Sequence, residues 1–417
     1  MTSGGGAMSH TTRPRESSGP RRKGGLLARV SLGSRFQAIP LEFVLLASTA
    51  LILTAFGAVM VLSATSVESI GAGGGPYDGA VKHGVFIVIG VPLMFVLSRF
   101  PVGFFRKVAW LALILGLALQ MLVFTPLGYE TGGNRNWIRV AGYTMQPAEF
   151  LKLAFVVWLG VILYRKRGLL TNWKHVFVPI VPVSALVIGS VLAGKDLGTG
   201  MVLFLIMLAA LFFSGVKLRL FVIPMLMSIV AVVGLAVASP NRMGRIMSFL
   251  NEDCNYYDEC YQSTHGIWAL AEGGIFGLGL GNSKQKYGWL PAAADDYIFA
   301  IVGEELGLIG CAVVLVMFGL YAFAAFRIVR RTSDQFVRVV AATMTIWIVG
   351  QALINIGVVI GVFPVLGVPL PFLSSGGTSL LAVLLGTGVL MSLARSLPPI
   401  ERGIGSGESQ RTRSAAR

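Results

Sequence analysis

Long runs of apolar residues separated by short polar stretches account for most of the chain. A helix needs about 20 apolar residues to cross the hydrocarbon core of a bilayer, and ten runs approach or exceed that length. They cover residues 41–63, 81–98, 105–126, 147–164, 177–193, 199–215, 219–238, 298–326, 339–361 and 378–395. The pattern predicts an all-α integral membrane protein with ten transmembrane helices.

The composition agrees with this prediction. Hydrophobic residues make up 55% of the 417 and charged residues only 13%, whereas a soluble domain carries about 25% charged residues. A soluble enzyme and a disordered chain are therefore excluded. The first apolar run begins after forty polar residues and exceeds the about 7–15 residues of a signal peptide's apolar region, so we expect a retained helix. The polar tails, 1–40 and 396–417, are expected to be disordered.

The net charge of +15 is divided unevenly between the two sides of the predicted bundle. With ten spans both termini share one side, which collects 25 of the 34 Lys and Arg residues and 5 of the 19 Asp and Glu residues. That side therefore carries +20 and the other −5. Because cytoplasmic loops are enriched in Lys and Arg, both termini are predicted to be cytoplasmic. The basic N-terminal arm then indicates orientation and anionic lipid rather than nucleic acid, for which the sequence shows no motif.

Cysteines give a further indication of compartment. Cys254 and Cys260 lie in the large loop 239–297 between the seventh and eighth spans, which the charge distribution places outside. Outside pairs can oxidise, so a disulfide between them is predicted, with two free thiols as the alternative. Cys311 lies within a span, where a small buried packing residue is expected. The four histidines are scattered, and no Cys/His spacing is typical of a metal site.

Polar residues and irregular backbone concentrate in three predicted outer segments, 127–146, 239–297 and 364–379. Long structured connections are disproportionately functional. The last segment contains three prolines, which prevent a regular helix. Irregular backbone at membrane depth is tolerated only where protein or a watery cavity satisfies its polar groups. This segment is therefore predicted to be re-entrant and to line a site, with Ser374 and Ser375 near its end as candidate substrate-binding residues.

Charged residues cluster at the start of the fourth span. Glu149 and Lys152 follow a proline that opens a helix, and their spacing of three allows them to pair on one face. A structural ion pair and a contact with substrate are both open. Just upstream, Arg135 and Arg139 flank Trp137. Arginine matches phosphate geometry, although Trp137 is equally typical of an anchor at the membrane interface.

The large loop repeats this combination of cations and carboxylates. Arg242 and Arg245 follow the seventh span, Lys284 and Lys286 follow a glycine-rich run, and Asp295 and Asp296 directly precede the eighth span. Such an arrangement suits an anionic, phosphate-bearing ligand that is processed with a general base. The alternative is a solvated helix N-terminus with favourable charge–dipole contacts. The glycines of the run are expected to allow close backbone packing or turns.

These motifs resemble those of the SEDS family (shape, elongation, division and sporulation proteins), and its division branch in particular. The elongation branch is the alternative, since few residues separate the two. The resemblance covers about 41–395. The matching residues are Gly133-Asn-Arg-Asn-Trp137, Gln146-Pro-Ala-Glu149-Phe-Leu-Lys152, Asp196-Leu-Gly-Thr199, Gly279-Leu-Gly-Asn-Ser-Lys-Gln-Lys286, Asp296-Tyr-Ile-Phe-Ala-Ile-Val-Gly-Glu-Glu305 and Pro369-Leu-Pro-Phe-Leu-Ser-Ser-Gly-Gly-Thr-Ser379.

The resemblance implies a peptidoglycan glycosyltransferase at the division septum. Such an enzyme transfers disaccharide-peptide units from lipid II to the growing glycan on the outer face of the bacterial plasma membrane. The resemblance assigns the family's essential aspartate to Asp296, and it implies a class B penicillin-binding transpeptidase and other division proteins as partners. The sequence departs from the family pattern at Ala294-Asp295, where His-Thr is common, at Lys195 in place of proline, and at Asn136 in place of arginine.

The chemistry implied is a transfer assisted by a general base. Asp296 would take the proton of the acceptor hydroxyl, and nearby cations would stabilise the departing lipid diphosphate. The candidate cations are Arg135, Arg139, Lys152, Arg242, Arg245, Lys284 and Lys286. No cofactor is required by the sequence, and a divalent cation, which fills this role elsewhere, has no motif in its support.

Two other classes of function are open. A lipid II flippase would share the ten spans and the polar residues, but flipping needs polar groups along a path through the bilayer. The charged residues instead collect in the outer loops, which favours the transferase. A scaffold that only recruits division proteins would leave those charges unexplained.

Overall fold

A computed structural model of the chain describes residues 39–131, 133–140, 143–170, 172–221, 226, 234, 249, 256 and 260–398. Within these residues the protein is mostly helical. The helices are α1 (Leu41–Gly71), α2 (Asp78–Leu97), α3 (Val102–Met121), α4 (Pro147–Arg165), α5 (Trp173–Ala193), α6 (Leu197–Phe213), α7 (Tyr261–Gly273), α8 (Ile298–Arg331), α9 (Gln335–Val359) and α10 (Gly377–Arg395).

Most of the predicted spans coincide with these helices. Eight of them, α1 to α5 and α8 to α10, are long and apolar enough to cross a membrane, counting only the part of the chain that the structure describes. The apolar helix α6 is shorter, with 17 residues. The seventh predicted span, 219–238, lies almost entirely outside the described residues, as do most of the two tails. Helix α7 lies within the large loop, where the sequence predicted no helix.

Burial divides the helices into central and peripheral members. In the most apolar stretches of α4, α9 and α10, 83%, 72% and 83% of residues are buried, against 17%, 28% and 29% in α2, α3 and α5. Helix α9 packs on α4, α6 and α8, while α10 packs on α1 and α2. Apolar residues suit both lipid and protein surroundings, but polar side chains within a membrane need partners in the protein. The buried central helices are therefore the ones that can accommodate polar side chains.

Helix α8 is interrupted at Gly307, whose φ is +67°. Its 34 residues would extend about 51 Å as a continuous helix, well beyond the about 30 Å of a hydrocarbon core. The break leaves backbone groups without helical partners. The Leu308 N–H donates to the Gly274 carbonyl (2.9 Å), and the Leu278 N–H donates to the Glu304 carbonyl (2.9 Å). The glycine-rich run therefore completes the hydrogen bonding of α8, which is the close backbone packing expected of it.

A small sheet corrects the expectation of an all-α fold. Strands β1 (Gly128–Thr131), β2 (Asn134–Val140) and β3 (Tyr143–Met145) form an antiparallel sheet in the order β1-β2-β3. Threonine and the aromatic and β-branched residues of this segment favour strands, and Gly133 adopts φ +77° at the turn between β1 and β2. The predicted loop 127–146 is therefore largely a β-meander, hereafter the hairpin sheet.

Ion pairs tie the helices together at the end of the bundle opposite the hairpin sheet. The Glu42 carboxylate, which is fully buried, accepts hydrogen bonds from Arg327 Nε (2.9 Å) and Arg331 Nη1 (2.8 Å) and so links α1 to α8. Arg106 pairs with Asp334 and links α3 to the start of α9. We call this the arginine end, and the end with the hairpin sheet the sheet end.

Candidate functional site

Asp296 lies at the sheet end, two residues before helix α8 begins at Ile298. Its N–H donates to the Ala292 carbonyl (3.1 Å), and its side chain is half-buried. The following residue, Tyr297, is fully buried and its ring packs on Gly266 of α7, where a Cβ would lie 2.6 Å from Tyr297 Cε1. The site aspartate is thus held between α7 and α8 on a short turn.

The segment predicted to be re-entrant packs directly against this turn. Residues 361–376 have irregular backbone, as the prolines predicted, and Leu370, Phe372 and Leu373 are buried. Gly367 adopts φ +67°, and a Cβ there would lie 3.5 Å from Asp296 Oδ2. The Asp296 carboxylate therefore lies beside a stretch of backbone that has no side chain to fill the space in front of it.

Ser374 and Ser375 join the re-entrant segment to the aspartate turn. Ser374 Oγ donates to the Asp295 carbonyl (2.6 Å) and accepts from the Leu370 N–H (2.7 Å). The Ser375 N–H donates to the Ala294 carbonyl (2.9 Å), and its hydroxyl donates to the Asp295 carboxylate. The two serines predicted to bind substrate therefore brace the turn on which Asp296 lies.

The two adjacent aspartates have different surroundings. Asp295 retains an exposed surface, yet the protein around its carboxyl displaces enough water to raise the pKa of Asp295 above its usual range. The hydrogen bond from Ser375 opposes this rise without reversing it. The Asp295 carboxylate accepts from Ser375, whereas Asp296 Oδ2 lies beside Gly367, so the two carboxylates have different neighbours.

Two amide side chains of α9 donate hydrogen bonds to the backbone of the aspartate turn and of the re-entrant segment. Asn355 Nδ2 donates to the Asp296 carbonyl (2.6 Å) and to the Val368 carbonyl (2.8 Å). Gln351 Nε2 donates to the Pro369 carbonyl (2.9 Å). Sequence reasoning missed both residues because neither carries a charge. The available signal was a pair of amides four residues apart in a predicted span, 339–361, that has no charged residue, where polar groups need partners.

Glu149 and Lys152 form the ion pair that their spacing predicted. Lys152 Nζ lies 2.9 Å from Glu149 Oε1, and both side chains are 1% exposed. Lys152 also donates to Gln351 Oε1 (2.9 Å) and lies 5.4 Å from the centre of the Trp347 ring. The pair is an interior feature that connects α4 to α9, and its partner Gln351 leads to the re-entrant segment.

Lys284 and Lys286 occupy different environments. Lys286 is buried, and its Nζ lies 3.2 Å from Glu305 Oε1 and 3.1 Å from Ser63 Oγ. Lys284 is exposed and lies 3.4 Å from Glu272. Each of these lysines is thus already paired with a carboxylate.

The two buried glutamates of α8 organise the loop that carries these lysines. Glu304 accepts from Ser283 Oγ (2.5 Å) and from the Lys284 N–H (2.6 Å). Glu305 accepts from Ser63 Oγ (2.6 Å) as well as from Lys286. These carboxylates, which precede the break at Gly307, fix residues 281–286 against α8 and α1.

The arginines of the hairpin sheet lie at its surface and edge. The Arg139 guanidinium stacks on the Tyr129 ring at 4.2 Å and is exposed. Arg135 is half-buried, and its Nη2 donates to the Thr125 carbonyl (3.0 Å). Arg242, Arg245 and Cys254 lie outside the described residues. Cys260 is disulfide-bonded and Cys311 is free and buried.

Asp196, in the Asp-Leu-Gly-Thr motif, caps α6 and links it to the hairpin sheet. Asp196 Oδ1 accepts from the Thr199 N–H (2.9 Å), as an N-cap does, and Oδ2 accepts from Asn136 Nδ2 (2.8 Å) and Gln146 Nε2 (2.9 Å). The Gln146 N–H in turn bonds to Thr378 Oγ1 (3.2 Å). Four of the sequence motifs therefore meet in one hydrogen-bonded layer at the sheet end.

Comparisons of sequence give a consistent result. The family model for FtsW, RodA and SpoVE, described as cell cycle protein, matches residues 43–398. A probable peptidoglycan glycosyltransferase FtsW of Mycobacterium tuberculosis is 36% identical over 401 residues, covering 96% of this chain and 76% of its own. Stage V sporulation protein E of Bacillus subtilis is 35% identical over 352 residues, covering 84% and 96%.

Solved structures share the fold. The rod shape determining protein RodA of Thermus thermophilus superposes with a TM-score of 0.62 at 22% identity, over 85% of this chain and 97% of its own. A chain of a peptidoglycan synthase complex superposes with a TM-score of 0.67 at 22% identity, over 84% and 96%. With four of the sequence motifs joined in one hydrogen-bonded layer at the sheet end and a family model that spans nearly the whole described region, the chain belongs to the FtsW/RodA/SpoVE family of SEDS proteins.

Proposed function

We propose that the chain is a peptidoglycan glycan-strand polymerase of the division septum. It transfers disaccharide-peptide units from lipid II to a growing strand and releases undecaprenyl diphosphate. The observation that carries the proposal is the placement of Asp296, whose carboxylate is half-buried and lies beside the bare backbone of Gly367. The names of the relatives, which are peptidoglycan glycosyltransferases of the FtsW type, support the reaction class.

In the transfer step Asp296 acts as the general base. A bond forms between the acceptor hydroxyl oxygen and C1 of the donor sugar, while the bond from C1 to the diphosphate oxygen breaks. The hydroxyl proton passes to the Asp296 carboxylate, and the electron pair leaves with the diphosphate. General base catalysis of this kind contributes about 10²–10⁴ in rate. Cations near the site, with Arg135 and Arg139 on the hairpin sheet among the candidates, stabilise the leaving group.

The protein is oriented with the arginine end in the cytoplasm and the sheet end outside. Three arginines, Arg327, Arg330 and Arg331, lie in the last turns of α8, while Asp296 precedes its first turn. Cytoplasmic ends of membrane proteins are enriched in Lys and Arg, and this supports the cytoplasmic placement of both termini. The active site then faces the compartment where peptidoglycan is polymerised.

The partner proposed is a class B penicillin-binding transpeptidase that cross-links the new strands. A solved neighbour of the same fold belongs to a peptidoglycan synthase complex in which polymerization and crosslinking are coordinated. Exposed apolar residues on the peripheral helices, such as Val88 of α2 and Leu111 of α3, offer surface for lipid or for a membrane-embedded partner.

The decisive test is polymer synthesis from lipid II by the purified protein, alone and with its cognate transpeptidase. Asp296→Asn is expected to insert and fold normally and to lose polymerisation by about 10²–10⁴-fold. Asp78→Asn is the matched control, since Asp78 is an exposed carboxylate at the start of α2, and it is expected to polymerise like the wild type. Substantial synthesis by folded Asp296→Asn would overturn the general-base assignment. Polymer from neither wild-type preparation, with scrambling of labelled lipid II in liposomes, would favour a flippase.

A further inference from the structure

Helix α9 contains two buried amides in its C-terminal half, which has no charged residue. Gln351 is 0% and Asn355 is 2% exposed, and their spacing of four places them on one face. A buried amide without partners is costly, so their contacts are expected to be specific. Both donate to backbone carbonyls outside α9, and none of these carbonyls lies inside a helix or strand.

The Asn355 amide joins two segments that are distant in sequence. Its Nδ2 uses one hydrogen for the Asp296 carbonyl (2.6 Å) and the other for the Val368 carbonyl (2.8 Å). The hydrogen bond to Asp296 acts on the backbone carbonyl of that residue and so fixes the position of its main chain. The hydrogen bond to the Val368 carbonyl holds the residue that follows Gly367. Gly367 has no side chain, and its backbone lies beside Asp296 Oδ2. Asn355 therefore sets the gap between the aspartate and the re-entrant segment.

The Gln351 amide extends the same arrangement by one helical turn. Its Nε2 donates to the Pro369 carbonyl (2.9 Å), the residue after Val368. Its Oε1 accepts from Lys152 Nζ (2.9 Å) and from Trp347 Nε1 (3.1 Å). These two donors can only face an oxygen, so they fix the amide orientation and direct Nε2 toward Pro369. The buried Glu149–Lys152 pair is thereby linked to the re-entrant segment through Gln351.

We propose that Asn355 and Gln351 are positioning residues for the polymerase reaction. Their hydrogen bonds hold the re-entrant segment at a fixed distance from Asp296, and the Glu149–Lys152 pair orients the Gln351 amide. This inference rests on the proposed function. It gives the Glu149–Lys152 pair a role through Gln351. This role explains why a buried ion pair belongs to one of the sequence motifs that mark the site. A displacement of about 1 Å in a reacting group can cost on the order of 100-fold in rate. Loss of the hydrogen bonds of either amide should therefore reduce kcat.

The test is steady-state polymerisation by full-length protein in detergent with labelled lipid II. Asn355→Leu removes both donors at similar volume and is expected to lower kcat by about 10–100-fold. The KM for lipid II is expected to stay within about twofold, because Asn355 contacts protein backbone rather than substrate. Gln120→Leu is the matched control: it removes another fully buried amide, on α3, and is expected to retain wild-type kcat.

A second variant covers the case in which Asn355→Leu does not fold. Gln351→Glu has the same size, keeps an acceptor for Lys152 and loses the donor to Pro369. It is expected to bind lipid II like the wild type and to lower kcat by about 3–30-fold. This loss is smaller than that of Asn355→Leu because the hydrogen bond from Asn355 to the Asp296 carbonyl is retained.

Three results would overturn the inference: wild-type kcat in folded Asn355→Leu or in Gln351→Glu, a loss confined to KM, or an equal loss in Gln120→Leu. Absence of polymer from wild-type protein would instead contradict the proposed function. The two failures are therefore distinguishable.

Discussion

Removal of Lys152 is predicted to destabilise the protein more than removal of its partner Glu149. The two side chains lie 2.9 Å apart and are 1% exposed. At an effective dielectric constant of about 20 their attraction is on the order of 6 kcal/mol, most of which offsets the cost of burying the charges. Breaking such a pair by removing one partner costs about 3–5 kcal/mol, whereas replacing both is often nearly neutral.

The asymmetry follows from the other contacts of each group. In Lys152→Met the Glu149 carboxylate loses the hydrogen bond to Oε1, and its Oε2 accepts none within the described part of the chain. This variant should lose about 3–5 kcal/mol. In Glu149→Gln, Lys152 keeps Gln351 Oε1 and the Trp347 ring, so the loss should be about 1–3 kcal/mol. The double variant should lie within about 2 kcal/mol of the wild type.

Equilibrium unfolding in mixed micelles, with a denaturing detergent titrated into a mild one, measures these differences. Lys284→Met is the matched control, because Lys284 pairs with Glu272 at 3.4 Å on the surface and such pairs contribute about 0–1 kcal/mol. Equal destabilisation by Lys152→Met and Lys284→Met would refute the reasoning. So would a double variant whose loss equals the sum of the two single losses, since that would show no coupling between the charges.

Two further predictions concern backbone and pH. Gly307→Ala forces a side chain into φ +67° and against the Ile275 carbonyl, so it should cost about 3 kcal/mol or more from left-handed strain and lost hydrogen bonds. Gly319→Ala in the same helix has open space and should be neutral or stabilising in the same unfolding assay; equal losses would contradict this account of the break. Burial raises the pKa of Asp295, so the folded state holds that proton more tightly than the unfolded state. Stability should therefore fall as pH rises above the usual carboxyl range of about 4, and Asp295→Asn should remove that fall. Melting temperatures of both proteins across pH 4–8 would test this, and parallel curves would refute it.

The sequence predicted the features that depend on local pattern. The apolar runs located most helices, the prolines of 364–371 predicted the irregular segment, and the i, i+3 spacing of Glu149 and Lys152 predicted their pair. Each of these follows from residues close together in the chain. The hairpin sheet was missed because its strands are only three to seven residues long and were read as a loop between spans.

The sequence pattern could not predict which side chains that are distant in the chain would become partners in the folded protein. The residues of the large loop predicted Lys286 to be one of the cations near Asp296. They did not predict that its Nζ pairs with Glu305 and lies by Ser63, a residue 223 positions away. No property of a lysine in sequence indicates which carboxylate it will meet. Asn355 was overlooked for the same reason, since its two carbonyl partners lie 59 and 13 residues away and become neighbours only when α9 packs beneath the aspartate turn.

The break in α8 has a mechanical consequence. Residues 308–331 extend about 36 Å and include the part held by lipid, so a thicker or thinner bilayer changes the tilt of this portion. Residues 298–306 are clamped by protein, with Glu304 and Glu305 anchored to the 281–286 loop. Gly307 separates the two portions, and the glycine-rich run bonds to the backbone on both sides of it, at Glu304 and at Leu308. We therefore expect a change in the tilt of residues 308–331 to be resisted at this point before it reaches Asp296.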